Sequence, residues 1–157
     1  MVGMRVVEVT WEPEVERFTA SGTNPDFMIG INAPHLVPDQ PSTGFSPTEL
    51  LLAGAGACAA WDVIGIMRKR RRPLTSLQVR VEGHQDEKPP NAYNRLRLHF
   101  TVSGPQLDHD ELQRVLRLSL NRYCSVLATI RPGAQIEESI EIVEVPSAEP
   151  AGTALTA

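Results

Sequence analysis

Residues 46–73 read SPTELLLAGAGACAAWDVIGIMRKRRRP, and this stretch decides the fold. It opens with the signals of a helix start: Ser46 suits the N-cap, Pro47 the first helical position, and Glu49 can close a capping box. A largely apolar sequence then runs to Pro73, and proline ends a helix. About 27 residues at about 1.5 Å each measure about 40 Å. A helix of that length crosses a whole domain and must organise the rest of it.

The sequence on either side of this helix predicts mostly strands. Alternating segments indicate strands at residues 4–11, 15–21, 27–31, 77–81, 95–102 and 135–145. A helix capped by Asp108 or Asp110 should bury Leu112, Val115, Leu116 and Leu120 and deliver Cys124 at its C-terminal end, before a short helical segment at residues 125–130. Residues 32–44 have loop chemistry. The pattern predicts an α+β fold.

Length and composition limit the classes of protein that this chain can belong to. Its 157 residues suit one domain, which we place at residues 1–145, followed by a disordered tail at residues 146–157. The net charge of −4 argues against general affinity for nucleic acid or anionic lipid. Two cysteines and an N-terminus without an apolar core predict a cytoplasmic protein with reduced thiols. Because it contains Asp62, the apolar run at residues 50–67 is interpreted as a buried helix, and no membrane partner is expected.

Five consecutive cations at residues 68–72 close the long helix. Positive charge is favoured there by the negative end of the helix dipole, so a solvated helix end is the simpler interpretation. A patch that binds nucleic acid or another anion is the alternative, although no aromatic residues nearby would stack on bases.

Cys58 and Cys124 are the two residues with the clearest chemical potential. Cys58 lies among alanines and glycines, which leave space for a substrate or, alternatively, let another helix approach closely while Cys58 is a small buried side chain. Cys124 follows 66 residues later, a separation that matches no zinc-ligand spacing, so no metal is expected. The four histidines are scattered, and no glycine loop for phosphate is present, so nucleotide binding is unsupported.

Two motifs together resemble the OsmC and organic-hydroperoxide-resistance superfamily, in particular its YhfA-like branch. The first is SPTELLLAGAGAC at residues 46–58, and the second is RYCSV at residues 122–126. The resemblance covers roughly residues 4–145. It implies an intertwined homodimer in which the long helix packs on a curved antiparallel sheet. It also implies an external dithiol reductant and no cofactor.

The resemblance further implies four catalytic residues. Cys58 matches the peroxidatic cysteine, Cys124 the resolving cysteine, Glu49 a glutamate of the first motif, and Arg17 an arginine shortly after a tryptophan. Arg17 would stabilise the Cys58 thiolate and Glu49 would hold the guanidinium. Reaction with an organic hydroperoxide, or with hydrogen peroxide, would give a sulfenic acid at Cys58, which Cys124 converts to a disulfide. The alternative is a protein of the same fold that binds a small apolar ligand without turnover.

The spacing between Glu49 and Cys58 constrains how they could share a site. Nine residues correspond to about 900° of rotation and about 13 Å of rise, which places the two side chains on opposite faces of a straight helix. Either the helix is broken near Gly54 and Gly56, or Glu49 of one subunit completes the site around Cys58 of the other.

Overall fold

The computed structural model describes residues 3–32 and 44–144. The chain divides into two compact units, Met1–Gly54 and Ala55–Ala157. Strands and helices are present in the described residues, which confirms the α+β prediction. Most of the predicted loop at residues 32–44, and the whole of the predicted tail, lie outside the described residues. The single domain at residues 1–145 stays a prediction.

The first unit contains a three-stranded antiparallel sheet in the order β1-β2-β3. Its strands are β1 (Glu8–Glu12), β2 (Arg17–Ser21) and β3 (Met28–Ile31), and a 3₁₀ turn (Pro13–Val15) joins the first two. The first strand was expected from residue 4. It begins at Glu8 because Glu8 pairs with Ser21, the last residue of β2, so earlier residues have no partner on that strand.

Helix α1 (Pro47–Lys69) starts as its sequence predicts. The Ser46 amide donates to Glu49 Oε2 at 2.7 Å, and the Glu49 amide donates to Ser46 Oγ at 3.3 Å. These reciprocal bonds form the capping box. The helix is continuous through Gly54 and Gly56, so the predicted alternative of a break there is wrong.

The C-terminal end of α1 comes earlier than predicted. The helix ends at Lys69 instead of Pro73, because Arg71 takes a left-handed conformation with a positive φ of 58°. The Arg72 amide then donates to the Met67 carbonyl at 3.0 Å. A left-handed residue with such a bond is a common helix end. The chain therefore turns away before the proline is reached.

The second unit is built on a sheet in the order β4-β5-β6. Its strands are β4 (Ser76–Gln85), β5 (Tyr93–Ser103) and β6 (Gln135–Ile142). The pair β4 and β5 is antiparallel, but β5 and β6 are parallel, so the expectation of a wholly antiparallel sheet is wrong. Parallel neighbours need a crossover connection, which the helices between β5 and β6 supply. Alternate residues of β5 form the core: Leu96, Leu98, Phe100 and Val102.

Between β5 and β6 the chain forms two helices and a turn. Helix α2 (His109–Leu118) is capped by Asp108, whose side chain accepts from the Glu111 amide at 2.8 Å. A five-residue π-helical turn (Ser119–Tyr123) and helix α3 (Ser125–Ile130) follow. The predicted apolar face of this segment is confirmed, since all four of its residues are buried: Leu112, Val115, Leu116 and Leu120.

Gly56 allows α1 to lie directly on the sheet. A Cβ atom at this position would stand 2.8 Å from Val81 Cγ2 on β4, a distance that real side chains do not reach. The alternative interpretation of the small residues around Cys58, close approach of another helix, is corrected at Gly56, because the element that approaches there is strand β4.

Replacing Gly56 with alanine should destabilise the protein by about 1–3 kcal/mol, since the added methyl group must displace the packed Val81 side chain. Gly65→Ala is the matched control, because a Cβ there meets no atom of the described residues within 4 Å. That change should stabilise the helix by about 0.5–1 kcal/mol. Urea unfolding of both variants measures the difference. Equal effects would show that the Gly56 contact does not limit packing.

Candidate active site

Cys58 lies in the middle of α1, two residues after the contact of Gly56 with the sheet. Its side chain is half-buried, and its sulfur is 4.0 Å from the hydroxyl of Ser125 at the start of α3. The long helix thus directs Cys58 towards the segment that follows the π-helical turn. A half-buried thiol in this position remains accessible to small molecules.

The sequence predicts Cys124 at the C-terminal end of the helix that precedes it, and Cys124 is indeed the C-cap of the π-helical turn that continues α2. It takes an extended conformation between the π-helical turn and α3, and its amide donates to the Ser119 carbonyl at 2.9 Å. Its sulfur caps α3 by accepting from the Leu127 amide at 3.5 Å. The Cys124 side chain is buried within the second unit.

The two sulfurs and one carboxylate form a cluster. One ligand atom from each of Cys58, Asp62 and Cys124 lies within 4.8 Å of the other two. Both cysteines are in the reduced form. Ser119 is fully buried. Its hydroxyl donates to the Ala59 carbonyl at 3.1 Å and to Asp62 Oδ2 at 3.3 Å. The two cysteines therefore meet, as the redox hypothesis requires.

Asp62 had not been identified from the sequence as a site residue. In the sequence, its charge indicates only that the apolar run at residues 50–67 does not span a membrane. Its position four residues after Cys58 places both side chains on the same face of α1. That spacing is the sequence signal that could have included Asp62 in the site.

The surroundings of Cys124 oppose its ionisation. Burial, above all, raises the pKa of the Cys124 thiol to about 11, against an ordinary value of 9.0. Cys58 and the charge of Asp62 raise this pKa further, whereas the hydrogen bond from the Leu127 amide lowers it. Cys124 is therefore a neutral thiol near pH 7.

Comparison with known proteins identifies the family. A family model described as OsmC-like protein matches residues 39–139. The chain belongs to the OsmC-like protein family. Protein YhfA of Escherichia coli strain K12 is 34% identical over 98 residues, which cover 62% of this chain and 73% of YhfA. The predicted resemblance, including its YhfA-like branch, is confirmed.

Two solved structures show the same OsmC-like fold. The OsmC-like protein from Mycoplasma pneumoniae has a TM-score of 0.77 at 19% identity, covering 92% of this chain and 100% of that chain. The organic hydroperoxide resistance protein OhrB of Bacillus subtilis has a TM-score of 0.62 at 15% identity, covering 90% of this chain and 100% of that chain. The predicted fold class is confirmed.

The other two predicted site residues of this OsmC-like chain lie in the first unit. Arg17 begins β2, and its Nε donates to Glu12 at 2.9 Å in an ion pair. Glu49 accepts from Ser46, and the hydrogen bonds from the Ser46 amide and hydroxyl lower the pKa of the Glu49 carboxyl. Arg17 thus has a structural role in a strand ion pair, and Glu49 has one in a helix cap. Their catalytic roles stay predictions.

The basic end of α1 is partly neutralised within the second unit. Arg70 and Arg72 both form ion pairs with Glu111, at 3.1 Å and 3.0 Å. The side chain of Glu111 is largely buried, so these pairs attach the end of α1 to α2. This arrangement favours the interpretation of residues 68–72 as a solvated helix end over that of an anion-binding patch.

Labelling of the reduced protein with N-ethylmaleimide should reveal the raised pKa of Cys124. Only the thiolate reacts, so its labelling rate should rise about tenfold per pH unit until the pH reaches about 11. Mass spectrometry of the peptides separates this rate from that of Cys58. In the urea-unfolded chain the rise should end near pH 9.0, the ordinary value. A plateau at that lower pH in the folded protein would contradict the assignment.

Proposed function

We propose that this chain is a thiol peroxidase that reduces organic hydroperoxides through Cys58 and Cys124. The observation that carries the proposal is the pairing of a half-buried sulfur with a buried one inside a cluster 4.8 Å across. Family membership supports it, since OhrB of Bacillus subtilis is named for organic hydroperoxide resistance. Hydrogen peroxide is a second possible oxidant.

The proposed reaction has two chemical steps on the protein. The Cys58 thiolate attacks the terminal peroxide oxygen, the O–O bond breaks, and the alkoxide takes a proton and leaves as alcohol. Cys58 is then a sulfenic acid. Cys124 attacks the Cys58 sulfur, which forms the disulfide and releases water. An external dithiol returns both cysteines to thiols, and no other cofactor is needed.

The surroundings of the two thiols favour this division of roles. Cys58 is the more accessible, so peroxide reaches it first. Cys124 is buried and neutral near pH 7, which protects it from direct oxidation. Its sulfur lies beside that of Cys58, so it is positioned to attack once Cys58 carries an oxygen. The arrangement thus suits one attacking and one resolving thiol.

Addition of one equivalent of cumene hydroperoxide to the reduced protein should remove both thiols and link Cys58 to Cys124. Free-thiol counting and peptide mass spectrometry measure this result. Cys124→Ser should stop at a Cys58 sulfenic acid that dimedone traps, whereas Cys58→Ser should keep its remaining thiol. Turnover with dithiothreitol should fall at least about a hundredfold in both variants.

The non-catalytic alternative makes the opposite prediction for the same experiment. Thiols that persist in excess peroxide would exclude the peroxidase. A specific feature favours a binding role in that case: a groove of about 580 Å³ beside the cluster, with both apolar and cationic side chains. It is lined in part by Trp61, Ile66, Lys69, Arg70, Leu118 and Tyr123.

We also propose that the chain is a cytoplasmic homodimer in which a second copy covers α1. By length and composition α1 could cross a membrane, but a core helix of a soluble protein passes the same test. Only 28% of its most apolar stretch is buried within the chain, and Leu51 and Trp61 are exposed. Large exposed apolar surfaces usually mark an interface. A second subunit would also bring its own Arg17 and Glu49 near the exposed face of α1.

Mixed dimers test whether Glu49 acts on Cys58 of the other subunit. Glu49→Gln and Cys58→Ser chains, unfolded and refolded together, should recover about a quarter of the wild-type activity, because random pairing makes half of the dimers mixed. Each mixed dimer then holds one complete site. Refolding Cys58→Ser with Cys124→Ser is the control and should recover nothing, since those two thiols work within one chain. An absence of recovery in the first mixture would exclude the proposed sharing.

A further inference from the structure

The cluster of Cys58, Asp62 and Cys124 has the composition of a metal site as well as that of a redox pair. Two sulfurs and one carboxylate oxygen are all ligands that Zn²⁺ accepts in proteins. All three atoms lie within 4.8 Å of one another. In a tetrahedral site with Zn–S bonds of about 2.3 Å, the two sulfurs stand about 3.8 Å apart. Side-chain movements of about 1 Å would therefore bring these atoms to binding distance.

The third ligand is already held in position. Asp62 lies one helical turn after Cys58 on α1, and the buried Ser119 hydroxyl is within hydrogen-bond distance of Oδ2. Hydrogen bonds of this kind orient the carboxylates that bind metals. Ser119 also connects to the other cysteine, because its carbonyl accepts from the Cys124 amide. Ser119 thus forms hydrogen bonds with two of the three proposed ligand residues.

We propose that the reduced chain binds one Zn²⁺ ion through the Cys58 and Cys124 thiolates and the Asp62 carboxylate, with water at the fourth position. Binding releases the two thiol protons to solvent, and no electrons are transferred. The disulfide between the same sulfurs leaves no thiolate for the metal. Zinc binding and oxidation of the pair are therefore mutually exclusive states of one site.

This inference does not depend on the proposed peroxidase activity. A chain that is inert towards peroxide still offers both thiols and the carboxylate. If the peroxidase proposal holds, bound Zn²⁺ should block it, because Cys58 is then a ligand and not a free nucleophile. Zinc binding is measured directly on the reduced protein, so either proposal can fail without the other.

Titration of the reduced, metal-free protein with Co²⁺ tests the site. We expect one ion per chain, sulfur-to-cobalt charge-transfer absorption in the near ultraviolet, and complete displacement by Zn²⁺ at the same stoichiometry. Ser119→Ala should weaken zinc binding about tenfold, and Asp62→Asn by at least as much. Cys124→Ser should abolish the charge-transfer signal of a two-thiolate site.

Asp110→Asn is the control, since that carboxylate is exposed on α2 and should leave metal binding unchanged. Circular dichroism establishes that each variant is folded, and the wild-type titration stands even if one of them is not. Binding that lacks the charge-transfer bands, or that survives both Asp62→Asn and Cys124→Ser, would overturn the proposal. So would the absence of stoichiometric binding by the reduced wild-type chain.

Discussion

The contact between Gly56 and Val81 is the constraint on which the second unit depends. Without a side chain at Gly56, α1 lies against β4, and this contact sets the height of the helix above the sheet. Cys58 follows two residues later and reaches the start of α3. A larger residue at position 56 would lift the helix and move the Cys58 sulfur away from Cys124. Gly56 therefore serves packing, and that packing positions Cys58.

The chain places its second thiol by interrupting a helix. If α2 continued as a regular helix, Cys124 would follow its apolar face and its amide would bond within that helix. Instead the π-helical turn ends with the Cys124 amide on the Ser119 carbonyl, and the extended Cys124 begins α3. Ser119 thereby connects the turn, the Asp62 carboxylate and the backbone of α1 at Ala59. The π-helical turn and the extended Cys124 thus define the backbone path that leads the second thiol to Cys58.

Much of this arrangement is predictable from the sequence, because local signals are strong where the backbone is regular. The capping box at Ser46 and Glu49 and the buried face of α2 follow from spacing alone. The end of α1 does not follow from spacing. A left-handed Arg71 ends the helix before Pro73, and arginine has no preference for that conformation that would predict it. The parallel pairing of β5 and β6 depends on the crossover, and the role of Asp62 depends on a contact between α1 and the segment that ends at Cys124. Both are long-range effects, of which the sequence shows only that Asp62 shares a helix face with Cys58.

The negative charge of Asp62 affects both of the proposed states of the cysteine pair. The charge of the Asp62 carboxylate contributes to the raised pKa of Cys124. Ionisation of a thiol beside Asp62 would gather negative charges in a small and partly buried space, which is costly unless a cation shares it. In the proposed dimer that cation would be Arg17 of a second subunit, and in the proposed zinc-bound state it would be the metal. Either cation would turn Asp62 from an obstacle to thiolate formation into part of a balanced site. The carboxylate therefore makes the reactivity of the pair conditional on what else occupies the cluster.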